Sequence, residues 1–460
     1  ISIIGIIITV TISTFFWEHI KLEFNNYEEV LGSYSESSHN QHNDTLRFLS
    51  FISFPLIFYF ILCMVFYKKD FIGNIKNLFN DEYEVNFQEK NNIKIYLYFF
   101  LALIIFGFFL TDLPLSEIDI FHEGQRLGGG YNFHTTGKLW THNYINTSLF
   151  MDILVAPISW KLFGVNSIGS VRFVFILINM LAHLSLMILF YNIVLNLNIS
   201  KNTKIIFFLA LSIFSFYIIE NGILNFRDIP IILALSFTLN IICRKKINYV
   251  AYISLGFLSI FAVLLSFDRG VYLNLFYLFL ILVLLLLKKN KEIFIFFITI
   301  FVFWFFFIFI IGPEEFKQFV INAFEVIKYH ELLNGLIHSK PFSDQIHSTR
   351  ATRNFLIVLI NGIILISIIC FDEKIFPKKY KIFLTLFFVV GIICYKTGLS
   401  RSDGIHMRKA IGFNLIQFIT YLFIIIIKLQ RKFLINFNYF FSFKILSTVF
   451  LILIVIVYLR

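Results

Sequence analysis

Thirteen stretches of this 460-residue chain read as membrane-spanning helices, and no other feature limits its fold as much. They lie at 1–16, 48–67, 95–111, 169–196, 205–219, 229–243, 250–266, 271–287, 293–311, 355–371, 382–396, 410–427 and 445–459. A helix crosses the hydrocarbon core of a bilayer with about 20 apolar residues. Composition agrees: 58% of residues are hydrophobic, 15% are charged, and mean hydropathy is +0.81. Soluble domains carry about 25% charge, so a soluble enzyme, a disordered chain and a disulfide scaffold are excluded. The expected fold is an all-α polytopic membrane protein of about 11–13 spans, a range set by the need for about 20 residues per span. Residues 1–16 lack a basic flank and are expected to be a span whose start is missing rather than a signal peptide. The heavy use of Phe (63 copies) reads as an AT-rich coding bias and carries no chemistry.

The net charge of +11 does not form a basic face. It sits in short clusters between apolar runs, which argues for a membrane orientation signal and against nucleic acid as a partner. The basic connections are Lys201–Lys204, Arg244–Lys246, Lys288–Glu292, Lys374–Lys381 and Lys428–Lys432, joined by 68–94 through alternation. The other connections, 17–47, 112–168, 220–228, 267–270, 312–354 and 397–409, are long or irregular. Strict alternation puts the two sets on opposite sides. The basic side holds 21 Lys and Arg against 8 Asp and Glu, and the other holds 17 against 20. The basic side is therefore expected in the cytoplasm. Cys63, Cys243, Cys370 and Cys394 show no paired spacing and read as buried packing residues.

Chemistry-bearing residues collect on the non-basic side. After the run at 95–111 comes Ser116-Glu117-Ile118-Asp119-Ile120-Phe121-His122-Glu123-Gly124. If that stretch is helical, Asp119, His122 and Glu123 share one face. Two carboxylates and an imidazole so placed can activate a hydroxyl or hold a divalent metal; a solvated turn is the plainer reading. Gly124 and Gly128-Gly129-Gly130 are expected to make an irregular loop. Arg227-Asp228 precede Pro230, which suits the first turn of a helix. Asp268-Arg269-Gly270 can form the turn of a hairpin, with Asp and Arg paired to each other. Arg401, Asp403, His406, Arg408 and Lys409 crowd between two apolar runs; Arg408-Lys409 read most simply as an interfacial anchor. Arg is the residue that grips phosphate with two parallel bonds. Arg269 and Arg401, with Arg227 weaker, are thus candidates for an anionic group, supported by Asp268 and Asp403. His330, His338 and His347 have no ligand spacing and read as loop histidines. Trp140 and Trp160 fit an aromatic belt as well as a sugar platform.

Taken together, these features resemble the membrane glycosyltransferases of the GT-C superfold, which include protein mannosyltransferases and lipid A aminoarabinose transferases. The likeness runs over 112–410. It rests on Gly137-Lys138-Leu139-Trp140-Thr141-His142, then Ala156-Pro157, then Leu162-Phe163-Gly164, then Arg172 entering a helix, and on the later Arg401-Ser402-Asp403 and His406. Family members commonly carry an Asp-Glu or Asp-Asp pair in the first outer loop; here Glu117, Asp119, His122 and Glu123 stand there. The resemblance implies 1–94 as an N-terminal hairpin and 95–460 as a catalytic region with outer loops 112–168, 312–354 and 397–409. It also implies transfer of a sugar from a polyprenyl-phosphate donor to a glycan, lipid or protein hydroxyl, at the outer face of a bacterial inner membrane. Asp119 would be the base and Glu123 its helper, with His122 beside them, and Arg269, Arg401 and Arg227 on the donor phosphate. A divalent metal, if used, would bind Asp119 and Glu123. Two other classes fit less well. An O-antigen ligase or polymerase would concentrate function in a large late loop. A lipid or polysaccharide transporter would show mid-span charges and repeated halves.

Overall fold

A computed structural model of the chain describes residues 2–22, 40–66, 73–75, 78–79, 117–244, 246–371 and 375–433. The runs at 95–111 and 445–459 lie outside them. Every other apolar run falls on a helix, and among the described residues there is no strand, only one isolated parallel bridge between Leu336 and Arg401. The chain is an all-α polytopic membrane protein. In order come α1 (Ser2–Phe16), α2 (Gln41–Phe66), α3 (Ile120–Thr136), α4 (Val155–Phe163), α5 (Ile168–Leu195), α6 (Lys201–Glu220), α7 (Ile229–Cys243) and α8 (Tyr249–Leu265). Then follow α9 (Phe267–Leu286), α10 (Asn290–Ile311), α11 (Pro313–Asn334), α12 (Ser348–Cys370), α13 (Lys378–Cys394), α14 (Lys396–Ser400), α15 (Gly404–Ala410) and α16 (Gly412–Phe433).

Eight helices among the described residues are long and apolar enough to cross a membrane. They are α2, α5, α6, α7 with its short 3₁₀ lead-in, α9, α10, α12 and α13 run on into α14. The pair α15 and α16, bent by 51° at the break, is long and apolar enough only when taken together, as a broken span or a re-entrant loop, while α1 and α8 are shorter apolar helices. Burial sorts the spans: 78% of the α7 window is buried against 17% for α10, so α7 is central and α10 faces lipid. The core joins Phe190, Phe208, Ile232, Leu235, Phe276, Phe383 and Tyr421 from α5, α6, α7, α9, α13 and α16. The α1–α2 hairpin shares this core. Phe48 of α2 stacks on Tyr395 at 4.6 Å, and Trp17 packs on Phe355 at 5.7 Å. Cys63, Cys243, Cys370 and Cys394 are all buried and free.

Contacts between connections define two ends. At one end the basic connections meet: the Asn198 amide donates to the Ile375 carbonyl (3.1 Å), and Lys289 Nζ donates to Glu292 and to the Ile241 carbonyl (both 3.1 Å). At the other end the long connections meet. The Phe267 amide donates to the Thr147 carbonyl (3.1 Å), the His338 amide to buried Asp44 (2.8 Å), and Lys340 pairs with Glu18 (2.9 Å). Among the described residues, the connections thus gather at two ends in the same two sets that the charges define.

Three loop expectations are corrected. Gly124 and Gly128-Gly129-Gly130 lie inside α3, not in an irregular loop. Asp119 caps its start, and Gly137 ends it at φ +68° with its amide on the Phe133 carbonyl. Gly129 and Gly130 are there for close approach, unlike Gly124 and Gly128, which face open space: a Cβ on Gly129 would stand 2.3 Å from the Asp152 carbonyl, and one on Gly130 2.7 Å from Ala156 Cβ. Asp268-Arg269-Gly270 are not the hairpin turn but the first turn of α9, because Ser266 alone links α8 to α9. The 312–354 segment is mostly α11 and the start of α12. Of the three histidines read as loop residues, His330 falls in α11, whereas His338 and His347 lie between α11 and α12, with His338 buried and stacked on Phe355 at 5.1 Å.

Candidate functional site

The first cluster grows from the N-terminus of α3. Asp119 Oδ1 accepts the His122 amide (3.0 Å), and its Oδ2 lies 2.6 Å from His122 Nδ1. Both side chains are exposed, Asp119 at 54%. Glu123 is a turn further on and is held differently. Arg172 grips it from α5 with two bonds, Nε to Oε1 at 2.6 Å and Nη2 to Oε2 at 2.9 Å, while Glu123 Oε2 also accepts the Asp119 amide (3.0 Å). The Arg172 guanidinium holds the Glu123 carboxyl below the ordinary carboxylate range. Arg172 Nη2 also reaches the Glu117 carbonyl (3.2 Å). The expected pairing of Asp119 with Glu123 as base and helper, or as metal ligands, is thus divided. Glu123 is a strut between α3 and α5, and Asp119 with His122 faces out. Among the described residues no three His, Cys, Asp or Glu side chains come together to hold a metal ion. The donor set does not fit a metal at Asp119 and Glu123.

Below this helix the chain forms a π-helical turn at Phe150–Leu154, a rare geometry that recurs at functional sites. It points Asp152 inward. Its Oδ2 accepts the amides of Asn146 (3.0 Å), Thr147 (2.7 Å) and Ser148 (3.3 Å), and its Oδ1 accepts Gln125 Nε2 of α3 (3.0 Å). Burial pushes the Asp152 carboxyl above its ordinary value, and the three amides pull against that. Asp152 therefore ties loop 146–148 to α3.

The second cluster is the buried pair Asp228–Arg269. Arg269 Nε donates to Asp228 Oδ1 at 2.6 Å, with side-chain exposures of 3% and 0%. Arg269 Nη1 also reaches Asp268 (3.1 Å) and Thr397 Oγ1 of α14 (2.5 Å), and Asp228 Oδ2 caps its own turn through the Asn225 amide (3.0 Å). Arg269, a candidate for the donor phosphate, has its guanidinium engaged inside the protein, joining the start of α7 to α9 and α14. Arg227, the weaker candidate, is the more available one. Its Nε donates to Ser266 (2.9 Å), and Asp268 stands 3.9 Å from its Nη2. Pro230 sits in the first turn of α7, as expected.

The third cluster centres on Asp403, which caps α15 through the amides of Ile405 (3.0 Å) and His406 (2.9 Å). Arg401 Nε donates to Asp403 Oδ2 (2.9 Å), and His406 Nδ1 lies 2.8 Å from both oxygens. Burial pushes the Asp403 carboxyl up, and its donors outweigh that, leaving it below the ordinary range. Arg401, Asp403 and His406 are brought together, but as a mutually bonded unit at the foot of α15.

The chain matches no family model, no curated protein and no solved structure. Its chemistry has to be read from its own charges. Sequence reasoning missed one of them, Arg126, and read another, Lys409, only as an interfacial anchor. Arg126 of α3 lies over the Phe175 ring at 4.6 Å, and Lys409 of α15 is half-buried. Among the described residues neither has a hydrogen-bond or ion-pair partner. Arg227 acts electrostatically on both. Burial and Arg227 push the Arg126 guanidinium down, against Glu123, Asp119 and Asp152. Lys409 also feels Arg269, Asp228 and Asp403. Arg126 and Arg227 are linked through Phe175, which packs on Phe226 at 5.5 Å, and Lys409 on α15 feels Arg227 as well. The signal for Arg126 was its spacing: Asp119, His122, Glu123 and Arg126 fall at helical intervals on one face. Lys409 was hidden by pairing it with Arg408, which instead turns away to the Asn221 carbonyl (3.3 Å). Trp140 and Trp160 are buried, so they are neither an interfacial belt nor an open sugar platform.

Proposed function

We propose that the chain is a membrane glycosyltransferase that moves a sugar from a polyprenyl-phosphate donor to an acceptor hydroxyl at the end where the long connections gather. What supports this reading is that Arg126 lies over Phe175, which packs on Phe226 beside Arg227, while neither Arg126 nor the half-buried Lys409 is ion-paired among the described residues. Cationic groups at the edge of a bilayer, facing the end where the connections gather, mark functional sites by default. The phosphate of a lipid-linked sugar arrives at that depth. The active end faces away from the cytoplasm by the charge asymmetry of the connections, which corresponds to the outer face of a bacterial inner membrane.

In this reading Asp119 takes the proton from the acceptor hydroxyl. The acceptor oxygen attacks the anomeric carbon, the bond from that carbon to the phosphate oxygen breaks, and the configuration inverts. The polyprenyl phosphate that leaves carries the new charge, which Arg126, Arg227 and Lys409 offset. His122 orients Asp119. Asp119 and Arg126 are seven residues apart, about 10 Å along one helix face, so base and phosphate clamp can bracket a sugar. No metal is needed. Glu123, Arg269, Asp268, Arg401, Asp403 and His406 support the walls. One residue speaks for the transporter reading instead: His183, buried midway along α5 and 4.0 Å from Glu220.

The test uses purified protein in nanodiscs. Polyprenyl phosphate should bind the native chain, and Arg126→Ala and Lys409→Ala should each weaken it at least tenfold. Asp119→Asn should bind donor normally but slow transfer about a hundred- to ten-thousand-fold, the usual contribution of a general base. Unchanged affinity in both cation variants would remove the proposal's basis.

A further inference from the structure

The chain leaves the membrane at the end of α10 and turns sharply. Gly312 lies at φ +84°, a conformation that favours glycine, and Pro313 starts α11 at once. α11 therefore begins at the boundary plane of the bilayer, yet it is too polar to cross it. One side is fixed to the protein. Glu315, Phe319, Asn322 and Val326 are buried, and Phe319 packs on Trp140 at 5.1 Å and on Phe307 of α10 at 5.9 Å. The rest of the surface is ordered by chemistry. At about 100° per residue, the strip beyond the half-buried Ala323 and Phe316, more than a quarter-turn from the protein contact, holds Val320, Phe324 and Ile327, exposed by 36%, 69% and 56%. The next strip holds Lys317 and Lys328, then comes Ile321, and Glu314 and Glu325 follow. Going round the helix, protein contact gives way to apolar surface, then to lysine, then to acid.

We propose that α11 lies in the bilayer interface, with Phe324, Ile327 and Val320 in the acyl region and Lys317 and Lys328 at the phosphate layer. The occupant of the apolar strip is the lipid surface itself. Continuity with the α10 span places the strip at that level, and the order of charges matches the order of layers, since lysines beside an apolar strip reach up to headgroups while acids stay in water. A soluble partner would not explain lysines on one border only. The inference is independent of the glycosyltransferase reading. It has a consequence for the loop below: Glu315 accepts the amides of Trp140 (2.7 Å) and Thr141 (3.2 Å), and Asn322 accepts that of Ile145 (3.1 Å). The membrane surface thereby positions loop 139–147 through α11.

Single spin labels on the full chain in nanodiscs test this. The four native cysteines are buried, so an introduced one reacts first. Labels from Phe324→Cys and Ile327→Cys should be several-fold more accessible to oxygen, which concentrates in lipid, than to a water-soluble nickel chelate. The label from Glu325→Cys should show the reverse. Ile327→Cys carries the reading if Phe324→Cys does not fold. Labels at 324 and 327 that favour the nickel chelate would overturn the proposal, as would labels shielded from both reagents, which would mean that protein covers the strip.

Discussion

Two kinds of arginine share the loop end, and they should answer mutation in opposite ways. Arg269 is buried against Asp228 at 2.6 Å, so each charge depends on the other. Removing one partner of such a pair leaves a buried charge uncompensated and costs about 3–5 kcal/mol. Asp228→Ala should therefore lower the thermal midpoint of the purified protein sharply; a variant that melts with the native chain would show that Arg269 has another route to compensation. Arg126 stands the other way. It stacks on Phe175 without an ion pair among the described residues, so Arg126→Ala should leave the midpoint nearly unchanged while anion binding falls. The sequence could not separate these cases. It shows that Arg227, Arg269 and Arg401 exist at helix ends, but pairing depends on which carboxylate a distant helix brings. Asp228 lies 41 residues from Arg269 in sequence.

At the scale of elements, the apolar spans were legible, and the polar helices within the connections, α3 and α11, were not. Long apolar runs need no partner to be recognised, because the bilayer demands a satisfied backbone from each one alone. The glycines of α3 misled because glycine marks loops and close helix contacts alike, and only the neighbour at Asp152 and Ala156 tells which. Gly130→Leu should push α3 away from α4 and take Asp119 and Arg126 with it, losing donor binding and transfer together. The α11 latch gives a pH test. Burial pushes the Glu315 carboxyl up, but the Thr141 hydroxyl and the amides of Trp140 and Thr141 outweigh it, leaving it below its ordinary value. A carboxylate whose folded value is lowered contributes stability that is complete above the unfolded value of about 4.3 and is lost as pH falls through the folded one. Protection of the Trp140 and Thr141 amides against hydrogen exchange should therefore drop in that acidic window. Glu315→Gln should show low protection at neutral pH as well, with little further change on acidification. Equal protection in the variant and the native chain at neutral pH would mean that the loop holds without the latch.

For the whole molecule, the charge pattern and the fold give the same two-ended arrangement by separate physical routes. Positive-inside bias acts during insertion and reads only which connections carry Lys and Arg. The structure reads which connections touch, and Glu123–Arg172, Arg269–Thr397, Glu315–Thr141 and Leu336–Arg401 all fall at the end that the charge pattern assigns away from the cytoplasm. The spans legible in sequence fixed that grouping because each correct crossing reverses the side. One missed span would have mixed the two sets of connections. Asp119, Arg126, Arg227 and Lys409 can act on one substrate only if this sidedness holds in the membrane. Reporter fusions after residues 246, 290 and 380 should therefore report the cytoplasm. Fusions within 125–160 or 320–345 should report the opposite side. A cytoplasmic signal from 125–160 alone would detach α3 from the other outer connections and contradict the Glu123–Arg172 strut. Cytoplasmic signals from both 125–160 and 320–345, with opposite signals at 246, 290 and 380, would keep the fold and reverse its orientation. A lipid-linked donor would then have to be met on the cytoplasmic leaflet.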